Sequence, residues 1–159
     1  MRKAVFLKTL LVTCIISMIS CTSENISETE QLNLVNDTRL EAQIMTLINS
    51  HRESIGLAIL NFNNVAYTHA NDHTEYMILK GGLSHDNFNI RASKISSEAN
   101  AEEVGENVAK DYSTAEAVFN GWITSIPHKE NIESDFTHTA ISAKEDLNGN
   151  LYFTQIFFK

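Results

Sequence analysis

The chain has 159 residues, 43% of them hydrophobic and 20% charged, and a formal net charge of −8. That length suits one domain with a sizeable core. The acidic balance excludes the basic footprint that nucleic-acid binding requires, so no nucleic-acid partner is expected.

Residues 1–20 are of a different kind from the rest. Arg2, Lys3 and Lys8 accompany an almost wholly apolar run from Thr9 to Ile19, and no acid occurs before Glu24; a secretory signal is expected there rather than a fold element. The apolar run is too short to span a membrane, which takes about 20 residues. It ends at Met18-Ile-Ser-Cys21, which resembles a bacterial lipobox and implies a lipidated Cys21 as the first mature residue. Cys14 then leaves with the signal and no disulfide forms, although a secreted setting would permit one. Removing residues 1–20 deletes three positive charges and no negative ones, taking the net charge from −8 to −11. Membrane attachment would therefore rest on acyl chains and not on basic residues. Residues 21–36, rich in Ser, Glu and Asn, read as a flexible tether, which leaves 37–159 as the domain.

Within the domain, Leu40, Ile44, Leu47 and Ile48 fall at helical spacing after Asp37 or Thr38, either a suitable cap, and Gly56 ends the helix. Asn61 and Asn63 offer caps for a second helix carrying Val65, Ala66, Ala70, His73 and Met77 on one face, with Gly81-Gly82 as its stop. Ser84-His85 then opens a loop, and a strand is expected around Val104 to Ala109. Ser113 with Glu116 fits a capping box ahead of an apolar stripe of Ala115, Val118, Phe119, Trp122 and Ile123. Pro127 stops that helix and sets His128 at the opening of a new turn. Two β-prone runs, Thr139–Lys144 and Leu151–Phe158, flank Asn148-Gly149, the strongest short hairpin signal in the chain. Three or four helices before a terminal hairpin indicate a layered α+β domain.

Three short phrases carry the chemistry: Ser84-His85, Gly105-Glu106-Asn107, and Trp122-Ile-Thr-Ser-Ile-Pro-His128. In this order and spacing they resemble the CAP superfamily, the cysteine-rich secretory, antigen 5 and pathogenesis-related group, in its short bacterial form. Asn49 to Arg52, Arg91 and the closing run Tyr152 to Phe157 resemble further landmarks of the family, and the resemblance covers Leu40 to Phe158. It implies an α-β-α sandwich with about three antiparallel strands between helical layers. It also implies a cleft lined by His85, Glu106 and His128, with Asn107 and Ser125 beside them. The sequence departs from the family at Ser125, where the eukaryotic pattern has a second carboxylate; Glu130 lies nearby in sequence. Ala140 and Ser142 likewise replace the usual Gly-x-Gly before the hairpin.

Two neutral imidazoles held rigidly can ligate zinc or another divalent ion, and a neighbouring carboxylate can fix a ring tautomer or take a proton from bound water. His85 and His128 are the expected metal ligands, in a weak and exchangeable site because catalytic zinc usually has three protein ligands. Glu106 is the candidate general base should the cleft be hydrolytic. The remaining histidines, His51, His69, His73 and His138, read as ordinary surface or core residues, and Trp122 as a core anchor. The resulting expectation is a cell-envelope lipoprotein, anchored in the membrane, whose cleft binds a metal and a small ligand or a partner segment without catalysis. The alternative is a metal-assisted hydrolase of envelope peptides or glycans.

Overall fold

The computed structural model describes residues 34–159. The signal, Cys21 and most of the tether lie outside the described residues. Its elements in chain order are α1 (Thr38–Ser54), β1 (Asn61–Phe62), α2 (Asn64–Lys80), α3 (Phe88–Ala99), β2 (Val104–Lys110), α4 (Ala115–Thr124), α5 (Ile126–Glu133), β3 (His138–Glu145) and β4 (Leu151–Phe158). The sheet order is β1-β3-β4-β2, with β3, β4 and β2 antiparallel to their neighbours and β1 parallel to β3.

Alternation along the strands builds the two cores, because successive side chains leave a strand on opposite faces. Ala109, Ile141, Ala143, Phe153 and Phe157 face one way, against Leu40, Ile44 and Ile48 of α1, Val118 and Trp122 of α4, and Ile132 of α5. Ala140, Ile156 and Phe158 face the other way, against Ala66 and Ala70 of α2 and Ile95 of α3. The result is the expected α-β-α sandwich.

The two longest helices start and stop where local chemistry dictates. The Asp37 carboxylate caps α1 by accepting from the Leu40 N–H, and Asn63 caps α2 by accepting from Val65 and Ala66. Gly81, at φ +76°, closes α2 in the left-handed conformation that costs glycine least. Beyond the Ala66 and Ala70 contacts, much of the α2 underside meets the sheet through polar pairs. Thr74 donates to Thr154 at 2.9 Å, Ser142 donates to Asn71 at 3.1 Å, and Lys144 pairs with Glu75. Ser142 and Ala140 thus fill the Gly-x-Gly positions without crowding.

Several details differ from the sequence reading. Four strands form where about three were expected, because a two-residue segment, Asn61–Phe62, adds to the outer edge of β3. Among the described residues five helices form where three or four were expected, and α3 has no position in the sequence reading because only Arg91 and Ile95 on it are buried, leaving no apolar stripe to read. The α4 cap is Thr114, which accepts from the Ala117 N–H, and not Ser113. Residues 34–36, assigned to the tether, belong to the domain: Asn36 bridges to Lys144 on the β3 edge, and the Leu34 carbonyl accepts from the Lys144 ammonium. Asn148-Gly149 does lie in the hairpin, but the turn is longer than two residues. Gly149, at φ +84°, donates to the Asp146 carbonyl, and the Asp146 carboxylate collects the N–H groups of Asn148 and Asn150.

Arg52, near the end of α1, is buried with no carboxylate beside it. Its guanidinium donates to four backbone carbonyls, those of Ala58, Ile132, Ser134 and Phe136, at 2.6 to 3.2 Å. It thereby ties α1 to both the connection into β1 and the connection out of α5. Replacement by Met strands those carbonyls, and each buried unsatisfied acceptor costs about 1–3 kcal/mol. Arg52→Met is expected to lose roughly 3 kcal/mol or more, read as a fall in the urea unfolding free energy.

Candidate functional site

Strand β2 lies at one edge of the sheet, so its two faces are both reachable from outside that edge. Glu106 points to the α2–α3 side and Asn107 to the α5 side. Gly105 permits the approach of α5 and the chain beyond it. A Cβ there would sit 3.0 Å from the Asn131 amide oxygen and 3.0 Å from the Phe136 ring.

Glu106 is buried, and an ionised carboxylate in that position needs partners at every lone pair. Arg91 of α3 supplies most of them, with Nε 2.9 Å from Oε2 and Nη2 2.6 and 2.8 Å from Oε2 and Oε1. His85 adds its Nδ1, 2.8 Å from Oε1. Since the carboxylate only accepts, Nδ1 of His85 carries a proton, and in the neutral ring Nε2 then keeps its lone pair. The His85 side chain is 53% exposed, so that lone pair opens to solvent.

The turn bearing His85 is held from below. Asp86 receives bonds from Tyr76 and Lys80, and its backbone N–H donates to the Ser84 hydroxyl. These donors keep the Asp86 carboxyl well below the usual carboxylate range. Arg91 reaches the same turn through the Asp86 carbonyl at 2.7 Å.

On the other side of β2, Asn107 is fully buried and donates to the His128 carbonyl at 3.1 Å. Asn131, three residues on along α5, donates to the Asn107 side-chain oxygen and to the Glu106 carbonyl. His128 is half-buried, and among the described residues neither of its ring nitrogens has a hydrogen-bond partner. Burial lowers its pKa, and His85 lowers it further. The structure thus joins His85 to Glu106 on one side of β2 and Asn107 to the His128 backbone on the other.

Ser125 is not joined to them. It separates α4 from α5, with its backbone bonded to Trp122 and Lys129 and its side chain making no capping bond. Glu130 is exposed, and no bond connects its carboxylate to the cleft. The group found beside Glu106 is instead His73 of α2, buried, with Nε2 3.8 Å from Oε1 and 2.6 Å from the Ser84 carbonyl. The sequence reading had placed His73 among ordinary core residues and had given Arg91 and Asn131 no site role. For His73 the available signal was a histidine on the inward stripe of a helix that runs straight into Ser84-His85. Among the described residues no group of three or more His, Cys, Asp or Glu side chains is arranged to hold a metal ion.

The model of the cysteine-rich secretory protein family matches residues 45–157. The chain belongs to that family, the CAP family. It is 30% identical over 126 residues to the membrane protein YlbC of Bacillus subtilis, covering 77% of this chain and 35% of that one, so it spans about a third of that relative's length. In fold it is similar to an outer surface protein of Borrelia burgdorferi, with a TM-score of 0.72 at 17% identity, covering 79% of this chain and 96% of that one. It is also similar to an extracellular SCP-domain protein of Bacillus anthracis, with a TM-score of 0.66 at 23% identity over 77% of this chain and 41% of that one. Unlike the family's name, residues 34–159 contain no cysteine, so this CAP domain is held by its cores and by buried polar ties.

The pKa values of His73 and His128 are both lowered from the ordinary 6.5, in each case chiefly by burial. As pH falls through that value the unfolded chain takes up protons that the folded CAP domain does not, so stability is complete above it and declines below it. In chelator-treated protein the urea midpoint is expected to be lower at about pH 5.5 than at about pH 7.5, and His73→Gln is expected to reduce the difference.

Proposed function

We propose that this CAP domain is an extracytoplasmic binding module whose cleft takes a divalent ion on His85 and His128, together with a small ligand or a partner segment, without catalysing a reaction. One observation carries the reading: the Glu106 carboxylate holds His85 Nδ1 as a donor, which in the neutral ring leaves Nε2 as a lone pair on an exposed side chain. An outer-shell carboxylate of this kind is the usual companion of a metal-binding histidine.

His85 and His128 would hold the ion, and with only two imidazoles the site would be weak and exchangeable. A bound ion would supply a Lewis-acidic centre with positions open to an oxygen of the ligand. Glu106 acts here as the group that orients His85. Its acceptor positions are occupied by Arg91 and His85, which leaves none directed at a water and favours binding over the hydrolytic alternative. Zinc competition against a chromophoric chelator is expected to show binding by the wild type and at least about tenfold weaker binding by His85→Ala combined with His128→Ala. Equal retention by both proteins counts against the cleft.

The extracytoplasmic placement rests on the signal-like residues 1–20 and on relatives described as extracellular, outer-surface or membrane proteins. No helix among the described residues is long and apolar enough to cross a membrane. Attachment is assigned to lipid on Cys21 because Met18-Ile-Ser-Cys21 resembles a lipobox. Cys21→Ser is expected to move the protein from the membrane fraction to the soluble fraction on cell fractionation, and persistence in the membrane would require a different anchor.

A further inference from the structure

We propose that His73 is a positioning residue of the cleft: a neutral imidazole whose one N–H is committed to the Ser84 carbonyl and so holds in place the turn that presents His85. The inference rests on the proposed binding role of His85 only for its metal arm. The geometry of the turn stands independently.

The argument begins with what each atom can do. The Ser84 carbonyl oxygen only accepts, and it lies 2.6 Å from His73 Nε2, so the proton of a neutral His73 ring sits on Nε2 and not on Nδ1. The ring cannot swing away from that bond. It is buried in α2 and stacks on Tyr76 at 5.8 Å and 14° between planes, and the same Tyr76 hydroxyl is tied to Asp86. Ser84 and Asp86 flank His85, so one side of the turn is held by His73 and the other by Tyr76 and Lys80.

His73 also stands 3.8 Å from Oε1 of Glu106, the oxygen that accepts from His85. A second positive charge there would compete with His85 and Arg91 for the same carboxylate. A neutral ring with its donor turned to a backbone carbonyl fills the space without taking that oxygen. His73 therefore acts on His85 twice, by holding the Ser84 carbonyl and by leaving Oε1 to the His85 Nδ1–H. The position on α2 that faces the cleft network is thus occupied by a group able to donate one hydrogen bond while carrying no charge.

Two substitutions separate the donor from the ring. His73→Gln keeps an N–H within reach of Ser84, and His73→Phe keeps an aromatic ring on Tyr76 but has no donor. Long-range nitrogen–proton NMR of the metal-free protein reads the tautomers directly. The wild type is expected to show His73 as the Nε2–H form and His85 as the Nδ1–H form. His73→Phe is expected to mix the His85 tautomers and to weaken zinc binding by about tenfold, with His73→Gln restoring both. An Nδ1–H tautomer at His73 in the wild type overturns the proposal without any variant, even if His73→Phe fails to fold. Unchanged His85 signals in a folded His73→Phe protein overturn it as well. If the wild type binds no zinc, the metal reading of the cleft fails, while the tautomer measurements still decide the role of His73.

Discussion

The Arg91–Glu106 ion pair sets the terms for everything around it. A carboxylate taken out of water is costly unless it is paired and hydrogen-bonded at each lone pair, and a buried pair stripped of one partner is strongly destabilising. Glu106 is on an edge strand, where one side of the sheet is open and the missing shell has to come from elsewhere. Helix α3 brings Arg91 to it, and the turn after α2 brings His85. The same guanidinium holds the Asp86 carbonyl, so one side chain satisfies the buried charge and anchors the segment presenting the exposed imidazole.

The far side of the strand follows from a second constraint, the outward backbone groups of an edge. Unpaired edge carbonyls invite another strand, and here two of them are taken by side chains. Asn131 donates to the Glu106 carbonyl, and the Trp122 indole donates to the Val108 carbonyl at 3.3 Å. These bonds hold α4 and α5 against β2 and place His128 beside the edge. Arg52 then braces the exit from α5 through the Ile132 and Ser134 carbonyls. In a domain without cysteine, such side-chain ties to backbone carbonyls are what keep the helical layers in register with the sheet.

The cleft that results has a directional character. Acceptors of Glu106 are filled, whereas among the described residues the ring nitrogens of half-buried His128 and the Nε2 of exposed His85 make no hydrogen bond. An arrangement of that kind supports the proposed capture of a cation or a donor-bearing ligand over proton abstraction, which calls for a base with an open lone pair directed at its substrate. The CAP fold supplies the scaffold, but the chemistry is decided by what stands next to Glu106. In this chain those neighbours are Arg91, His85 and His73, while Ser125 stands where the eukaryotic family pattern has a second carboxylate.

The sequence by itself determined the elements whose signals are local. The ends of α1 and α2 follow from Asp37, Asn63 and Gly81, the closing hairpin from its β-prone runs around Asn148-Gly149, and the family from the order of three phrases that resemble it. Caps, turns and apolar periodicity act over a few residues, so they are legible without coordinates. Helix α3, strand β1, the Arg91 clamp, the role of Asn131 and the place of His73 were decided only by tertiary structure. Arg91 meets Glu106 from fifteen residues away and His73 meets Ser84 from eleven. Neither contact leaves a periodic trace, because each is set by how α2 and α3 lie across the sheet. A buried arginine or histidine on a helix face looks like any polar interruption until the charge it serves is in place beside it.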